Sequence, residues 1–499
     1  MAGLTSSMAI SAAPLAQTNQ EQTKILWSAC PGGSSGLECG QLQVPIDWGT
    51  PEGEKFNLSM SRIRASDSSK RLGSLLFNPG GPGGAAIEFC AAQASSSLLF
   101  SKALAQHFDI ICPDPRGVGA SSPVQCDPEV WNADASLFPA TEAEFRKLIE
   151  RNRARGESCL NMTGNLLKHV DTISAAKDIE AIRLALGDGK LNWLRLSYGT
   201  QLGSAYAELY PENIRAMVLD ANVDFALSSL KSAAIESISY EDVLNRFFDW
   251  CAGNVTDCGF QGEDLPKMFD DMVAAADKSP IPAPGCADGS CLGSVSGKDI
   301  LINLQSYLSF REAMPPISLG WSGLGFALNQ TIADKNATLL STSLATPETI
   351  SAQAGGTAIA CLDAWATLDL INTTKASAQV LEQAMMGSVL NPHVGIASES
   401  YATEMSCLGW PIDIVNHRHK LDRQAMEKTA PILMVNAKHD PSTSYNMALS
   451  LKEQIPNSVL VIRDGDGHTS YLLHGEATAL MDAYLIEGKL PADGMIVKT

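Results

Sequence analysis

The chain reads as an α/β protein: a mostly parallel central sheet flanked by helices, with a large, mainly helical segment inserted before the strand that carries its last acidic candidate. Two observations predict this. Short apolar runs alternate with helical stretches between residues 42 and 220 and again after 430, the rhythm of buried parallel strands joined by crossover helices. From about Phe225 to Leu421 that rhythm stops and gives way to helical stretches, clustered cysteines and a Pro-, Gly- and Ser-rich loop over 278–297.

The elements follow in order. Leu4 to Ala16 is small and mildly apolar with no basic residue ahead of it, so residues 1–20 are expected to be a leader or a disordered N-terminus. Leu42–Ile46 and Phe56–Ile63 alternate like first antiparallel strands, and Ser74–Phe77 and Phe108–Cys112 are the next strands. Over Asp171–Leu186 the residues Ile173, Ala176, Ile179, Ile182 and Leu186 line one helical face that packs on the sheet. Leu191–Leu196 is a strand, Thr200–Leu209 the helix behind it, and Ala216–Asp220 another strand. The runs Pro431–Asn436 and Ser458–Ile462 supply the late strands, and Glu476–Ile486 the closing helix. The expected division is 1–20 leader, 21–224 first part of the core, 225–421 helical cap and 422–499 second part of the core. No internal repeat is visible.

Composition narrows the partners. A hydrophobic fraction of 45% supports a large core, and a formal charge of −19 opposes binding to nucleic acid or to anionic membrane surfaces. No run reaches the ~18 apolar residues of a membrane span. The partner expected is a small-molecule or short-peptide substrate, without nucleic acid, membrane, metal or cofactor, and the oligomeric state is left open. Zinc would need tighter Cys-x-x-Cys or His-bearing clusters.

Twelve cysteines are many for a cytosolic enzyme. Cys30 with Cys39, Cys251 with Cys258 and Cys286 with Cys291 are spaced for local loops, and Cys126 with Cys159 and Cys361 with Cys407 for longer pairs. Cys112, in an apolar strand, is as readily a buried free thiol. Asn57, Asn161, Asn254, Asn329, Asn336 and Asn372 begin Asn-x-Ser/Thr sequons, so the expected compartment is the secretory pathway, with N-glycosylation.

The chemistry concentrates at Leu194-Arg195-Leu196-Ser197-Tyr198-Gly199-Thr200, where a serine stands between an apolar strand and a small-residue helix start. A nucleophile elbow belongs there: the sharp turn points the hydroxyl off the sheet, and the next N–H can meet a developing oxyanion. Alone, Ser197 reads more simply as a solvated serine in a turn. The partners reverse that. Asp440 follows the strand ending at Asn436, and His468 sits in the glycine-loosened loop Asp464–Ser470 after the next strand. A serine hydroxyl needs an imidazole to take its proton, and the imidazole needs a carboxylate to fix its tautomer. Ser197, His468 and Asp440 are therefore the candidates for nucleophile, general base and orienting acid; His439 and His474 are nearby rivals by sequence.

Asn78-Pro79-Gly80-Gly81-Pro82-Gly83-Gly84 follows an early strand and lets backbone amides approach a ligand closely. The Gly81 and Tyr198 N–H groups are the expected oxyanion hole. The loop lacks the glycine spacing of dinucleotide sites and the Gly-Lys-Ser/Thr ending of phosphate loops. Arg195 departs from the usual Gly-x-Ser-x-Gly pattern. Such a side chain must reach water past the neighbouring strand or find a carboxylate, because burial without a partner costs several kcal/mol.

Together with Phe108–Ser121, which contains Asp114-Pro115-Arg116-Gly117, these segments resemble the tripeptidyl-aminopeptidase-like α/β hydrolases, related to proline iminopeptidases. Gly355–Asp363 and Cys407–Pro411 resemble family segments as well, so the likeness covers most of the chain. It implies an α/β-hydrolase fold, the same triad and oxyanion hole, a helical cap, and cleavage of short peptides from a free amino terminus, or of small amides and esters. The Asp114–Gly117 turn reads as structural, held by an ion pair. Glu88, Asp363 and Glu404 are candidates for a substrate ammonium and Trp410 for the pocket wall, although ion-paired carboxylates and a core aromatic are the simpler readings of each. The leading expectation is a serine hydrolase acting through an acyl-enzyme at Ser197. The alternatives are an enzyme on this fold recruited for a non-hydrolytic or lactone/ester reaction, signalled by Arg195, and a silent binding protein.

Overall fold

Ten strands pair into one sheet, and Ser197, Asp440 and His468 follow the carboxyl ends of its parallel strands. The computed structural model describes residues 24–498 apart from 32–35, 97–98, 261–263, 315–317, 365–367 and 369, so the expected leader lies outside the described residues. The strands are β1 (Ser28–Ala29), β2 (Leu37–Pro45), β3 (Lys55–Ile63), β4 (Gly73–Asn78), β5 (Phe108–Pro113), β6 (Leu191–Leu196), β7 (Ile214–Asp220), β8 (Ile281–Pro282), β9 (Ser294–Val295), β10 (Ile432–His439), β11 (Ser458–Asp466) and β12 (Ile496–Lys498). The large sheet runs β1-β2-β3-β5-β4-β6-β7-β10-β11-β12, while β8 and β9 form a separate hairpin. β1 through β3 are antiparallel, β3 is antiparallel to β5, and every later pairing is parallel.

The sequence pattern follows from burial. β4, β5 and β6 are buried at every position, because helices cover both faces, and so they read as continuous apolar runs. β2 alternates between buried and exposed residues over much of its length. Along β6, Trp193 packs with Ile179, Ile182, Leu202 and Tyr206 on one face, and Leu194 and Leu196 pack with Phe77, Tyr484 and Leu485 on the other. The helix Thr172–Leu186 starts where Asp171 accepts the Ser174 N–H at 2.9 Å and stops at left-handed Gly187.

Residues 221–431 lie between β7 and β10 and are mostly helical, with a core of their own around Tyr240, Phe247, Phe269, Leu304 and Trp321. The helix Glu142–Thr163 packs Phe145 and Leu148 against Tyr401 and Met405. A piece that the sequence division leaves in the first core segment thus lies against the insertion. No helix among the described residues is long and apolar enough to cross a membrane.

Six disulfides form: Cys30–Cys39, Cys126–Cys159, Cys251–Cys258, Cys286–Cys291, Cys361–Cys407 and Cys90–Cys112. The last corrects the free-thiol reading of Cys112. Its partner lies on the helix Ala86–Ser96, which packs on β5 and brings Cys90 to the strand across 22 residues. Six disulfides fit an oxidising, extracellular compartment. Replacing both Cys90 and Cys112 by Ser should lower the unfolding free energy by about 2–4 kcal/mol in urea titrations, as loss of a cross-link normally does; an unchanged midpoint would show that the bridge adds nothing.

Candidate active site

Ser197 occupies the turn from β6 into the helix Gly199–Leu209 with φ of +56°. That left-handed backbone costs a non-glycine residue about 1–2 kcal/mol and is kept only where its surroundings enforce it. Two hydrogen bonds do so: the Ser197 N–H donates to the Asp220 carbonyl at 2.9 Å, and the Ser197 carbonyl accepts the Thr200 N–H at 2.7 Å. Gly80 permits the crossing, since a Cβ there would lie 2.7 Å from Ser197 Cβ and 2.6 Å from the Leu196 carbonyl oxygen. Asn78 Oδ1 fixes the loop by accepting the Gly80 N–H at 3.0 Å. Among the described residues, neither the Gly81 nor the Tyr198 N–H has an acceptor within the protein.

Asp440 follows β10 and is buried. Its carboxylate accepts the Ser442 and Thr443 N–H groups at 3.0 and 2.9 Å and the Thr443 hydroxyl at 3.0 Å. Both of its oxygens stand 3.0 Å from His468 Nδ1, which places the ring proton there by the logic of the network. The His468 N–H donates to the Ser309 carbonyl of the insertion at 2.6 Å. Ser197 is half-buried, and among the described residues its hydroxyl has no hydrogen-bond partner. The drawn part of the expected triad is therefore the Asp440–His468 pair; in ligand-free enzymes the nucleophile–base bond is often long.

Asp220 joins the two halves. Its carbonyl holds Ser197, and its buried carboxylate accepts the Ser470 and Tyr471 N–H groups, both at 2.7 Å, just past His468. Burial pushes this carboxyl up to about 6, against the pull of those two N–H groups and of the Arg463 charge. Burial pulls the His468 imidazole down, but the Asp440 charge and hydrogen bond outweigh it, with help from Glu399 and Asp220, and its pKa lies above the ordinary 6.5.

The proposed binding residues separate. Glu88 is exposed in the first turn of the helix after the glycine loop. Asp363 is buried, and its oxygens accept the Thr172 N–H at 3.0 Å, the Thr172 hydroxyl, and the Gln201 and Asn416 amides, each at 3.0 Å. Glu404 is buried and accepts the Ser229 hydroxyl at 2.7 Å. In this conformation neither of these two offers an open carboxylate. Trp410 packs with Cys361 and Cys407. His439 pairs with Asp242 at 2.7 Å, and His474 lies past the loop, so neither competes with His468 for Asp440.

Two expectations change. Arg195 reaches neither water nor a carboxylate: it is fully buried, stacked on the Trp193 ring, and none of its guanidinium nitrogens has a hydrogen-bond partner. Arg116 does not pair within its own turn. It forks onto Asp178 at 2.6 and 2.7 Å, while Asp114 turns the other way to accept the Ile87 and Ala120 N–H groups.

Sequence reasoning missed Asp220, Thr443 and Glu399. Asp220 ends an apolar strand beside the elbow's strand, a position that could have flagged it. Glu399 is exposed at the start of the helix Glu399–Cys407, within the electrostatic reach of His468 and Tyr240, and nothing in the sequence separates it from inward-facing Glu404 on the same helix.

An antiparallel lead-in to a parallel sheet, a strained serine after β6, an acid after β10 and a histidine after β11 define an α/β hydrolase. The family model for the alpha/beta hydrolase fold matches residues 73–280, and that for TAP-like proteins matches residues 393–496. The chain belongs to the TAP-like α/β hydrolases. It is 29% identical to a tripeptidyl aminopeptidase of Streptomyces lividans, over 96% of this chain and 88% of that one. It is 28% identical to serine protease Hip1 of Mycobacterium tuberculosis over 96% and 89%, and 27% identical to carboxylesterase B of the same species over 91% and 85%.

The buried acids set a pH dependence of stability. Desolvation raises Asp114 and Asp220 to about 6 and Asp363 and Glu404 to about 7, against ordinary values of 3.8 for Asp and 4.5 for Glu. Between about pH 4.5 and 7 the folded chain therefore holds more protons than the unfolded one, and unfolding free energy falls as pH rises. Carboxyls held low by partners, such as Glu38, with its Arg64 and Arg62 bonds, act oppositely but below that window. Urea midpoints should be higher at pH 5 than at pH 7.5; the reverse order would mean that these groups ionise freely in the fold.

Proposed function

We propose that this protein is a serine hydrolase that opens an amide or ester of a short peptide or similar small substrate through an acyl-enzyme, with exopeptidase action at a free amino terminus as the favoured form. The observation that carries this is the fastening of the Ser197 turn and the His468 loop to one residue, Asp220, with Asp440 locked onto His468 Nδ1. The names of the relatives support a peptide or ester substrate. No feature favours the recruited, non-hydrolytic alternative, because Arg195 is buried against Trp193 and does not line an open cleft.

In this reading Ser197 Oγ attacks the substrate carbonyl carbon while His468 Nε2 takes its proton. The tetrahedral oxygen then lies against the Gly81 and Tyr198 N–H groups, and the chain keeps these donors free of internal acceptors. Collapse breaks the bond to the leaving amine or alcohol, which takes the proton from His468; water repeats the cycle on the acyl group. Glu399, exposed and felt by His468, is the carboxylate we assign to a substrate ammonium. Residues 225–421 serve as the cap that excludes water from the acyl-enzyme. For secretion with glycosylation, Asn57, Asn161, Asn254 and Asn372 are exposed, whereas Asn329 and Asn336 are half-buried.

A fluorophosphonate probe should label the wild type and not Ser197→Ala, and that variant should lose at least about 10⁴-fold in turnover of aminoacyl or tripeptidyl p-nitroanilides. Equal labelling of both would remove Ser197 from the reaction. The rate kcat/KM should fall on the acid side through a pKa above 6.5, as His468 takes up a proton. Asp440→Asn should move that limb to lower pH while slowing the reaction; a limb that stays in place would uncouple Asp440 from the base.

A further inference from the structure

The insertion helix Ile350–Leu362 touches both sides of the oxyanion site. Gly356, near its middle, stands against the glycine loop so closely that a Cβ there would lie 2.5 Å from the Pro82 carbonyl oxygen, and a Cβ on Gly83 would lie 2.7 Å from the Gly356 nitrogen. At its end, Asp363 grips the core. One of its oxygens accepts from the Thr172 N–H and the Asn416 amide, the other from the Gln201 amide and the Thr172 hydroxyl. The Thr172 hydroxyl also meets the Tyr198 phenol at 2.5 Å. Gln201 lies three residues beyond Tyr198, on the helix that Ser197 precedes.

Proton counting gives this chain a direction. Thr172 has one hydroxyl proton, and above about pH 7, where Asp363 is ionised and can only accept, Thr172 donates to Asp363 and must accept from Tyr198. The phenol is thereby fixed as a donor pointing at Thr172. Tyr198 is buried, and Arg195 on the preceding strand and the carboxylates of Asp171 and Asp363 all act on its phenol. Fixing the ring fixes the rotation of the residue whose N–H faces the oxyanion position, where a small error in aim is costly.

We propose that Asp363 is a positioning residue: from the insertion it aims the Tyr198 N–H at the oxyanion through Thr172, so that seating the helix Ile350–Leu362 on the core completes the oxyanion hole. This rests on the serine-hydrolase reading above. Asp363 thus has a task other than binding a substrate ammonium.

The test compares Tyr198→Phe, Thr172→Val, Thr172→Ser, the Tyr198→Phe/Thr172→Val double variant and Asp363→Asn. Its readouts are kcat and KM on p-nitrophenyl acetate and the second-order rate of fluorophosphonate labelling. Removing a whole oxyanion donor costs about 10²–10³-fold, and mis-aiming one should cost about tenfold. Tyr198→Phe, Thr172→Val and Asp363→Asn are therefore expected to lose about tenfold in kcat and labelling rate with KM within about twofold. The double variant should be no worse than either single one, and Thr172→Ser should retain the wild-type rate. Wild-type rates in Tyr198→Phe and Thr172→Val, losses that multiply in the double variant, or a change in KM alone would overturn the proposal. If Asp363→Asn does not fold, the Tyr198 and Thr172 variants still decide, since they leave the carboxylate in place. Failed labelling of Ser197→Ala beside undiminished Tyr198→Phe and Thr172→Val would remove the positioning role and leave the serine hydrolase standing.

Discussion

The site depends on one carboxylate at the end of a buried strand. Asp220 closes β7 next to β6, so its carbonyl is in register to hold the Ser197 N–H, and its side chain projects to the N–H groups of Ser470 and Tyr471. A buried carboxylate is costly without donors. Here two N–H groups and the nearby Arg463 charge offset part of that cost, and the result is a fixed distance between two segments more than 250 residues apart in sequence. Both N–H groups bond the one oxygen Oδ2, so a side chain without an acceptor at that point would leave the histidine loop to find its own position.

The second constraint is how closely the insertion approaches the core. Its close contacts with the core include Gly356 on the glycine loop, the Ser309 carbonyl on the His468 N–H, and the fully bonded Asp363. Helix and loop can sit at such spacing only where side chains are absent, which explains why glycines stand on both faces of the contact. The Cys361–Cys407 bridge lies two residues before Asp363 and ties that helix end to the segment carrying Trp410. The insertion is thus fitted to the reaction centre as well as covering it.

Much of this was legible in the sequence because the signals were local. The apolar runs of β4, β5, β6, β10 and β11, the serine between strand and helix, the glycine loop and the local cysteine pairs each declare themselves within a few residues. What stayed hidden depends on which way a side chain faces after folding. Asp363 and Glu404 look like free acids in sequence and are buried, Asp363 as a hydrogen-bond centre and Glu404 with the Ser229 hydroxyl on one oxygen. Glu399 differs from Glu404 only by its place around one helix. Cys90 sits on a helix whose packing angle, invisible in the sequence, carries it to Cys112. Asp220 looked like an ordinary strand end because its partners come from the far end of the chain.

Arg195 shows the same limit in its energetics. A glycine normally stands two residues before the nucleophile because the crossing helix leaves no space; here the helix residue opposite is Gly203, where a Cβ would come 3.5 Å from Arg195 Cγ and 2.8 Å from Leu219. The space has moved from strand to helix. The arginine stem occupies it, and the guanidinium lies on Trp193 without a single hydrogen bond. A guanidinium does not lose its proton in a protein, so the desolvation cost remains, and stacking on an indole returns only about 2 kcal/mol. That leaves an uncompensated cation beneath the elbow, with the Tyr198 phenol as the polar group whose field reaches it. The strand that feeds the nucleophile is therefore held in place by its neighbours rather than by its own preferences. Such local conflicts between sequence and fold are tolerated mainly around working sites, where the surrounding structure is rigid enough to absorb them.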